Sequence, residues 1–310
     1  MKNFDILTLT VNPSLDKSTS FSGLLPEQKI RCETPHYDAG GGGINVSKAV
    51  SRLGGESLCI FTAGGFSGQQ LKELIEKEGI ATAAVPVRHI TRENFIALDK
   101  HTNLQYRFGF PGLAISTDEV EIILSTIRGQ RPKFIVASGS LHEGMPLDFY
   151  QKVAGIAKES GAKFVADTSG DPLKKILETG VYLLKPNIGE LAKLIGKDKL
   201  ETDEADEAAR SLIEKGSAEI VVVSLGPQGA VLVTKEETIY VPAPNVQRKS
   251  TVGAGDSMVG GMVWALSQNK SIKEVVHWGV ACGTAATMNH GTQLFRKEDA
   301  LRLFDWLQKK

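Results

Sequence analysis

Short apolar runs alternate with helical patterns along most of the chain. Residues 6–11, 57–63, 134–137, 164–167, 182–184 and 220–224 are compact stretches rich in Ile, Leu, Val, Phe and Ala, the pattern of strands covered on both faces. Between them, apolar positions recur at helical spacing over 44–53, 71–78, 149–159 and 204–215. In the second of these, Leu71, Leu74 and Ile75 share one face. Strands separated by helices of this length require crossover connections, which are right-handed. The pattern predicts an α/β fold: a doubly wound, mostly parallel sheet with helices on both faces.

Two segments, 17–38 and 88–110, break that rhythm. They alternate polar and apolar residues, as in Asn94-Phe95-Ile96-Ala97-Leu98 and Gln105-Tyr106-Arg107-Phe108, and hold no clear crossover helix. They predict a small second sheet inserted in one domain spanning 1–310. Both segments carry cationic residues, so a sheet with one wet face reads there as a phosphate-binding lid in preference to decoration.

Composition leaves this picture intact and excludes several classes. The chain has 310 residues, 41% of them hydrophobic, enough for a substantial core without staples. Lys plus Arg and Asp plus Glu number 36 each, so no overall field draws the protein onto nucleic acid or an anionic membrane. Cys32, Cys59 and Cys282 show no metal-ligand spacing, and their odd number argues for reduced thiols over a disulfide framework. No stretch approaches the roughly 20 apolar residues of a membrane span. The N-terminus lacks the basic leader and cleavage site of a signal peptide, so a cytoplasmic location is expected.

Candidate chemistry enters with the glycines. The run from Ser250 to Ser257 precedes an apolar helical pattern over 258–266. Gly253, Ala254 and Gly255 allow a tight turn whose backbone N–H groups point one way at the start of a helix, an anion hole for phosphoryl oxygens. Asp256 then falls in the first helical turn, where a carboxylate can accept a proton from a hydroxyl and orient it for in-line attack. The plainer alternative is a helix cap whose aspartate serves the dipole, and the motif alone supports both equally. Gly40 to Gly43, with Ile44 and Asn45 after them, open another helix. Four successive glycines are costly in chain entropy and suit close approach of the backbone to a ligand. The cluster follows a segment read as non-strand and lacks the downstream acid of a dinucleotide fingerprint; no Gly-Lys-Ser/Thr makes it a Walker loop.

With these motifs the chain resembles the ribokinase-like (PfkB) carbohydrate kinases over nearly its whole length. The cluster at 40–43 with Asn45 matches one family signature, and 250–257 matches another, with Ser250 where many members carry an acidic residue. Lys185-Pro186-Asn187-Ile188-Gly189-Glu190 matches the family's Asn-x-x-Glu element, and Ser224 to Ala230 its nucleotide-binding strand and turn. The opening stretch 7–16 is similar to the branch acting on phosphorylated sugars, and the unbroken glycines, with 224–230 and 250–260, resemble those members acting on fructose 6-phosphate. The resemblance implies phosphoryl transfer from ATP, accompanied by Mg²⁺, to the C1 hydroxyl of fructose 6-phosphate, a glycolytic step. Kinases of tagatose 6-phosphate or fructose 1-phosphate are the neighbouring alternatives. A catalytically silent sugar-phosphate sensor is a third, disfavoured by the intact Asp256, Asn187 and Glu190.

The resemblance also implies roles. Asp256 would be the base, over an anion hole made by Gly253, Ala254 and Gly255. Sugar contacts would come from Asp16, Asn45 and Ser140, with the backbone of Gly41, Gly42 and Gly43. Lys29 and Arg92 would bind the sugar or its phosphate, since a forked guanidinium suits phosphate; Arg107 is the weaker candidate, with a solvated lid residue the favoured reading. ATP contacts would come from Lys185, Asn187, Ser224, Gly226 and Gly229, which follow strands, where parallel α/β sheets bind ligands, and from Thr251 and Thr284. Glu190 would act on Mg²⁺ through water, or merely favour its helix dipole. Ser250, Val252, Asn289 and Gly291 would frame a site for a monovalent cation such as K⁺, largely through carbonyls. Gln293 stands where the resemblance calls for an arginine, and His290 reads as a loop residue. A homodimer through the lid is expected.

Overall fold

The apolar runs build the centre of the molecule. The computed structural model describes residues 2–289 and 293–310. The first third of the chain holds β1 (Ile6–Thr10), β2 (Ser14–Phe21), β3 (His36–Gly40), α1 (Gly42–Arg52), β4 (Leu58–Ala63), α2 (Gly65–Lys77), β5 (Ala81–Pro86), β6 (Arg92–Asp99) and β7 (Leu104–Gly109). Next come α3 (Thr117–Arg128), β8 (Phe134–Ser138), α4 (Phe149–Ser160), β9 (Lys163–Asp167), α5 (Gly170–Thr179), β10 (Val181–Leu184), α6 (Ile188–Leu194), α7 (Ala205–Glu214) and β11 (Ala218–Ser224). The chain ends with β12 (Ala230–Val233), β13 (Thr238–Val241), α8 (Ala254–Ser267), α9 (Ile272–Thr287) and α10 (Lys297–Leu307).

Among the described residues, nine strands form the main sheet, in the order β13-β12-β11-β10-β9-β8-β1-β4-β5. The strands from β5 to β11 in that order are parallel, as the alternation of strands and helices requires. The antiparallel exceptions are β12 and β13. Only the turn 225–229 separates β11 from β12, too short for a crossover, so the chain can only return antiparallel. Each face is covered. On one side α3, α4, α5 and α7 pack Val120, Ile123, Phe149, Leu173 and Leu212 against Leu7, Leu9 and Ile135. On the other, α1, α8, α9 and α10 pack Val46, Met262, Val276 and Leu303 against Ile6, Val136 and Leu183.

The second sheet has the order β3-β2-β6-β7, with β2 and β6 parallel and the other pairs antiparallel. Asp16 lies inside β2, paired with Asp38 and Asn94. The sheet corrects one detail of the sequence reading: the segment before the glycine cluster is a strand, since β3 runs to Gly40. Five residues with His, Asp and Gly among them carry no strand pattern of their own; pairing with β2 makes them one. Leu15 and Ala39 are buried, while Phe95 stacks on Phe108. No helix among the described residues is long and apolar enough to cross a membrane.

Candidate active site

The site gathers where strands of the main sheet end and helices begin. Gly253 caps α8 with φ 71°, in the left-handed region that a side chain would strain, and makes no side-chain cap. The first N–H groups of α8 therefore meet no capping side chain from Gly253, and Asp256 lies in that first turn. Asn45 Nδ2 donates to Asp256 Oδ2 at 2.9 Å, and the Ser138 hydroxyl lies 3.3 Å from Oδ1. One edge of Asp256 still faces solvent. Burial, and after it the charge of Asp167, push its pKa up to about 6; Asn45, Lys185 and Ser138 offset part of that rise.

Asn45 is delivered by the glycine cluster. A side chain at Gly42 would collide with Ser138, and one at Gly43 with the Leu9 carbonyl, so the start of α1 sits directly on the ends of β1 and β8. The close approach demanded by these glycines is thus largely to the chain itself. Gly41 and Gly42 stay partly exposed, whereas Gly43 is buried.

Lys185, just after β10, is 6% exposed and pairs with Asp167 at 3.1 Å. Burial draws its ammonium toward neutrality, but Asp167, with Glu190 and Asp256 behind it, wins and holds the pKa above its ordinary value. A side chain at Gly255 would come within 3.5 Å of Lys185 Nζ, so this cation abuts the start of α8. The Ser138 hydroxyl lies between the two carboxylates, 3.4 Å from Asp167 Oδ2. Asp167 was missed by sequence reasoning, although an acid ending an apolar parallel strand at its carboxyl end was a usable signal.

Beside Lys185, Asn187 and Glu190 form a reciprocal cap on α6: Glu190 N donates to Asn187 Oδ1, and Asn187 N to the Glu190 carboxylate, both at 2.9 Å. Ser224 bridges to Asn187, and its N–H donates to the Pro186 carbonyl, which brings the turn 225–229 with Gly226 and Gly229 alongside. Thr284 lies in α9 next to Gly283, which packs against the first turn of α8. Thr251 is exposed just before that turn. The backbone N–H groups of Lys249 and Ser250 both donate to the Thr287 carbonyl, and Asn289 Nδ2 donates to the Ala285 carbonyl, so Ser250, Val252 and Asn289 share one corner. Gly291, assigned to that corner, and His290, read as a loop residue, lie outside the described residues.

The second sheet supplies the other wall. Asp16 accepts from Ser14 Oγ at 2.7 Å and from Asn94 Nδ2 at 2.8 Å, and burial raises its pKa despite those bonds. Gly40 packs directly against its carboxylate, which sets Asp16 beside the glycine cluster. Arg92 donates to Asn94 Oδ1 and to the Phe110 and Asn12 carbonyls, and Asn12 Nδ2 reaches the exposed Ser140 hydroxyl at 3.2 Å. Asp16, Arg92 and Ser140 thus join one network through Asn12 and Asn94, two residues sequence reasoning passed over. Arg107 and Lys29 do not join it. Arg107 is exposed and donates to Gln105; Lys29 lines a cleft with Arg31, Glu33 and Lys100 at the far end of β2.

Residues 9–299 match the pfkB family of carbohydrate kinases. The chain is 40% identical to an ATP-dependent 6-phosphofructokinase isozyme 2 of Escherichia coli, over 98% of this chain and 99% of that one. The crystal structure of phosphofructokinase-2 from Escherichia coli in complex with potassium has a TM-score of 0.94, at 39% identity, covering 99% of this chain and 100% of that chain. The structure of the same enzyme in complex with fructose-6-phosphate has a TM-score of 0.92 at 38% identity, with the same coverage.

Proposed function

Because the chain belongs to the pfkB family of carbohydrate kinases, we propose that it transfers the γ-phosphoryl group of ATP to the C1 hydroxyl of fructose 6-phosphate, giving fructose 1,6-bisphosphate. The observation that carries this reading is Asp256: a carboxylate with a raised pKa, in the first turn of α8, met by Asn45 and Ser138 and close to Lys185. Ionised Asp256 accepts the proton of the attacking hydroxyl, oriented by Asn45 and Ser138. The N–H groups of 253–256 and the ammonium of Lys185 meet the charge on the transferred phosphoryl oxygens. Asp16, through the Asn94 network, holds sugar hydroxyls, and Arg92 takes the 6-phosphate.

Magnesium bound with ATP would supply charge neutralisation at the phosphates. The donor set fits it, because Asp167 and Glu190 offer hard carboxylate oxygens around Lys185. Glu190, already capping α6, would act on the metal through water. The corner of Ser250, Val252 and Asn289 would hold a potassium ion, a reading supported by the existence of a potassium complex of the Escherichia coli relative. The protein acts in the cytoplasm as a homodimer joined through the second sheet, which serves as the lid.

The test is an assay of fructose 6-phosphate, tagatose 6-phosphate and fructose 1-phosphate side by side with MgATP. Fructose 6-phosphate is expected to give the highest kcat/KM. Asp256→Asn is expected to cut turnover by about 10²–10⁴ with ATP affinity retained. Near-normal turnover in the variant removes the base; preference for another sugar phosphate removes the substrate assignment and leaves the kinase.

A further inference from the structure

Six buried side-chain nitrogen or oxygen atoms among the described residues lack a hydrogen-bond partner. Four of the six belong to three side chains in one place: Asn12 Oδ1, Arg92 Nε and both ring nitrogens of His142. Folded interiors leave few such atoms, and each needs a reason. Four together beside the arginine read as the phosphate ligand call for a common one.

The three side chains come from different parts of the chain: the connection after β1, the first residue of β6, and the loop after β8. They are nonetheless tied together. Arg92 Nη2 donates to the Asn12 carbonyl at 3.2 Å, and Asn12 Nδ2 donates to the Leu141 carbonyl at 3.1 Å, one residue before His142. A side chain at Gly112 would strike both His142 Nδ1 and Asn12 Oδ1, so these two unpartnered atoms crowd one face of that glycine. A small cavity lined by Pro13, Thr91, Leu113 and Ile115 adjoins His142, with room for about one water molecule.

We propose that His142, beside Asn12 and Arg92, is a positioning residue for the phosphate end of the sugar, and that it takes up a proton from solvent when the phosphate settles against Arg92. This rests on the reading of Arg92 as phosphate ligand. The charged and titratable groups facing His142 are Arg92 from β6, His89 from the connection before it, and Glu119 from α3. Burial, then the Arg92 charge, hold the imidazole neutral down to about pH 4; the Leu113 backbone, poorly aligned with the ring, and Glu119 only partly oppose them. A dianion on Arg92 cancels the repulsion and adds attraction, so the bound state favours imidazolium. Proton uptake is then greatest in weakly acidic solution and vanishes at pH 8, where His142 is neutral in both states.

The experiment is calorimetric titration of fructose 6-phosphate into the nucleotide-free protein near pH 6, in two buffers of different ionisation enthalpy. Wild type is expected to take up clearly more protons than His142→Gln, whose affinity is weaker but measurable. The KM for fructose 6-phosphate is expected to fall about threefold more in wild type than in the variant between pH 7.5 and 5.5. In the wild-type protein itself, the His142 ring resonances should move toward the imidazolium position on saturation with the sugar phosphate. Equal proton uptake by the two proteins, or His142 resonances that stay neutral at saturation, overturns the proposal while leaving the kinase reading standing. Absence of any fructose 6-phosphate binding by folded wild type overturns both.

Discussion

Asp256 sits among charges that pull its proton affinity in opposite directions. Burial and Asp167 raise it; Asn45, Lys185 and Ser138 lower it. The outcome near 6 has a functional sign: the residue must be ionised to accept a proton, so kcat/KM should rise with pH through about 6 and then level off. Asp167→Asn separates the contributions. It removes the like charge while Lys185 stays near Asp256, so the acidic limb should move down by about one pH unit. The height of the plateau will also fall, because Lys185 loses its 3.1 Å partner, so the position of the limb is the reading that counts. A limb that stays near 6, or moves upward, in a pH series of kcat/KM would separate Asp167 from the titration of the base.

At the scale of elements, two short connections hold the nucleotide wall: the cap on α6 and the turn after β11. Each of Asn187 and Glu190 satisfies a backbone N–H of the other, and Asn187 also bridges to Ser224. Asn187→Ala should therefore cost about 1 kcal/mol of stability and also raise the KM for ATP. Thermal unfolding without ligand, set beside an ATP titration, checks both; a stability loss with unchanged ATP affinity would leave the motif as a cap only. The same elements show what the sequence could disclose. Strands buried on both faces were legible as apolar runs, and Asn45 and Asp256 because glycines mark the turns that deliver them. β3, and the hairpin of β12 and β13, were not, because their pairing depends on distant or very short connections. Ser138, Asn12 and Asn94 are single polar residues whose meaning appears only once the ends of β1 and β8 and the start of β6 meet around the crevice, whereas Asp167 at least carried the signal of an acid closing an apolar parallel strand. Lys29 and Arg107 show the converse: charge in the right segment did not bring them to the network.

The whole molecule poses the question of what covers the second sheet. β7 is its edge strand, and Leu104 and Phe108 lie on one face of that strand, 59% and 49% exposed. Leu24, Leu25 and Phe110 add further exposed apolar surface on the neighbouring loops. An edge strand with such side chains is a poor end to a sheet in water, and a symmetric copy of the same surface is the simplest cover. The homodimer proposed above predicts that Leu104→Glu combined with Phe108→Glu yields a monomer by light scattering, with an unchanged circular dichroism spectrum. The sugar side should suffer more than the nucleotide side, because β6 carries Arg92 and Asn94 and is held by β7 and β2 alone within the sheet. The KM for fructose 6-phosphate is then expected to rise about tenfold, equivalent to ~1.4 kcal/mol of weakened binding, with the KM for ATP moving less. A double variant that remains dimeric places the contact elsewhere, and a variant that becomes monomeric with both KM values intact would uncouple the dimer from the sugar-phosphate wall.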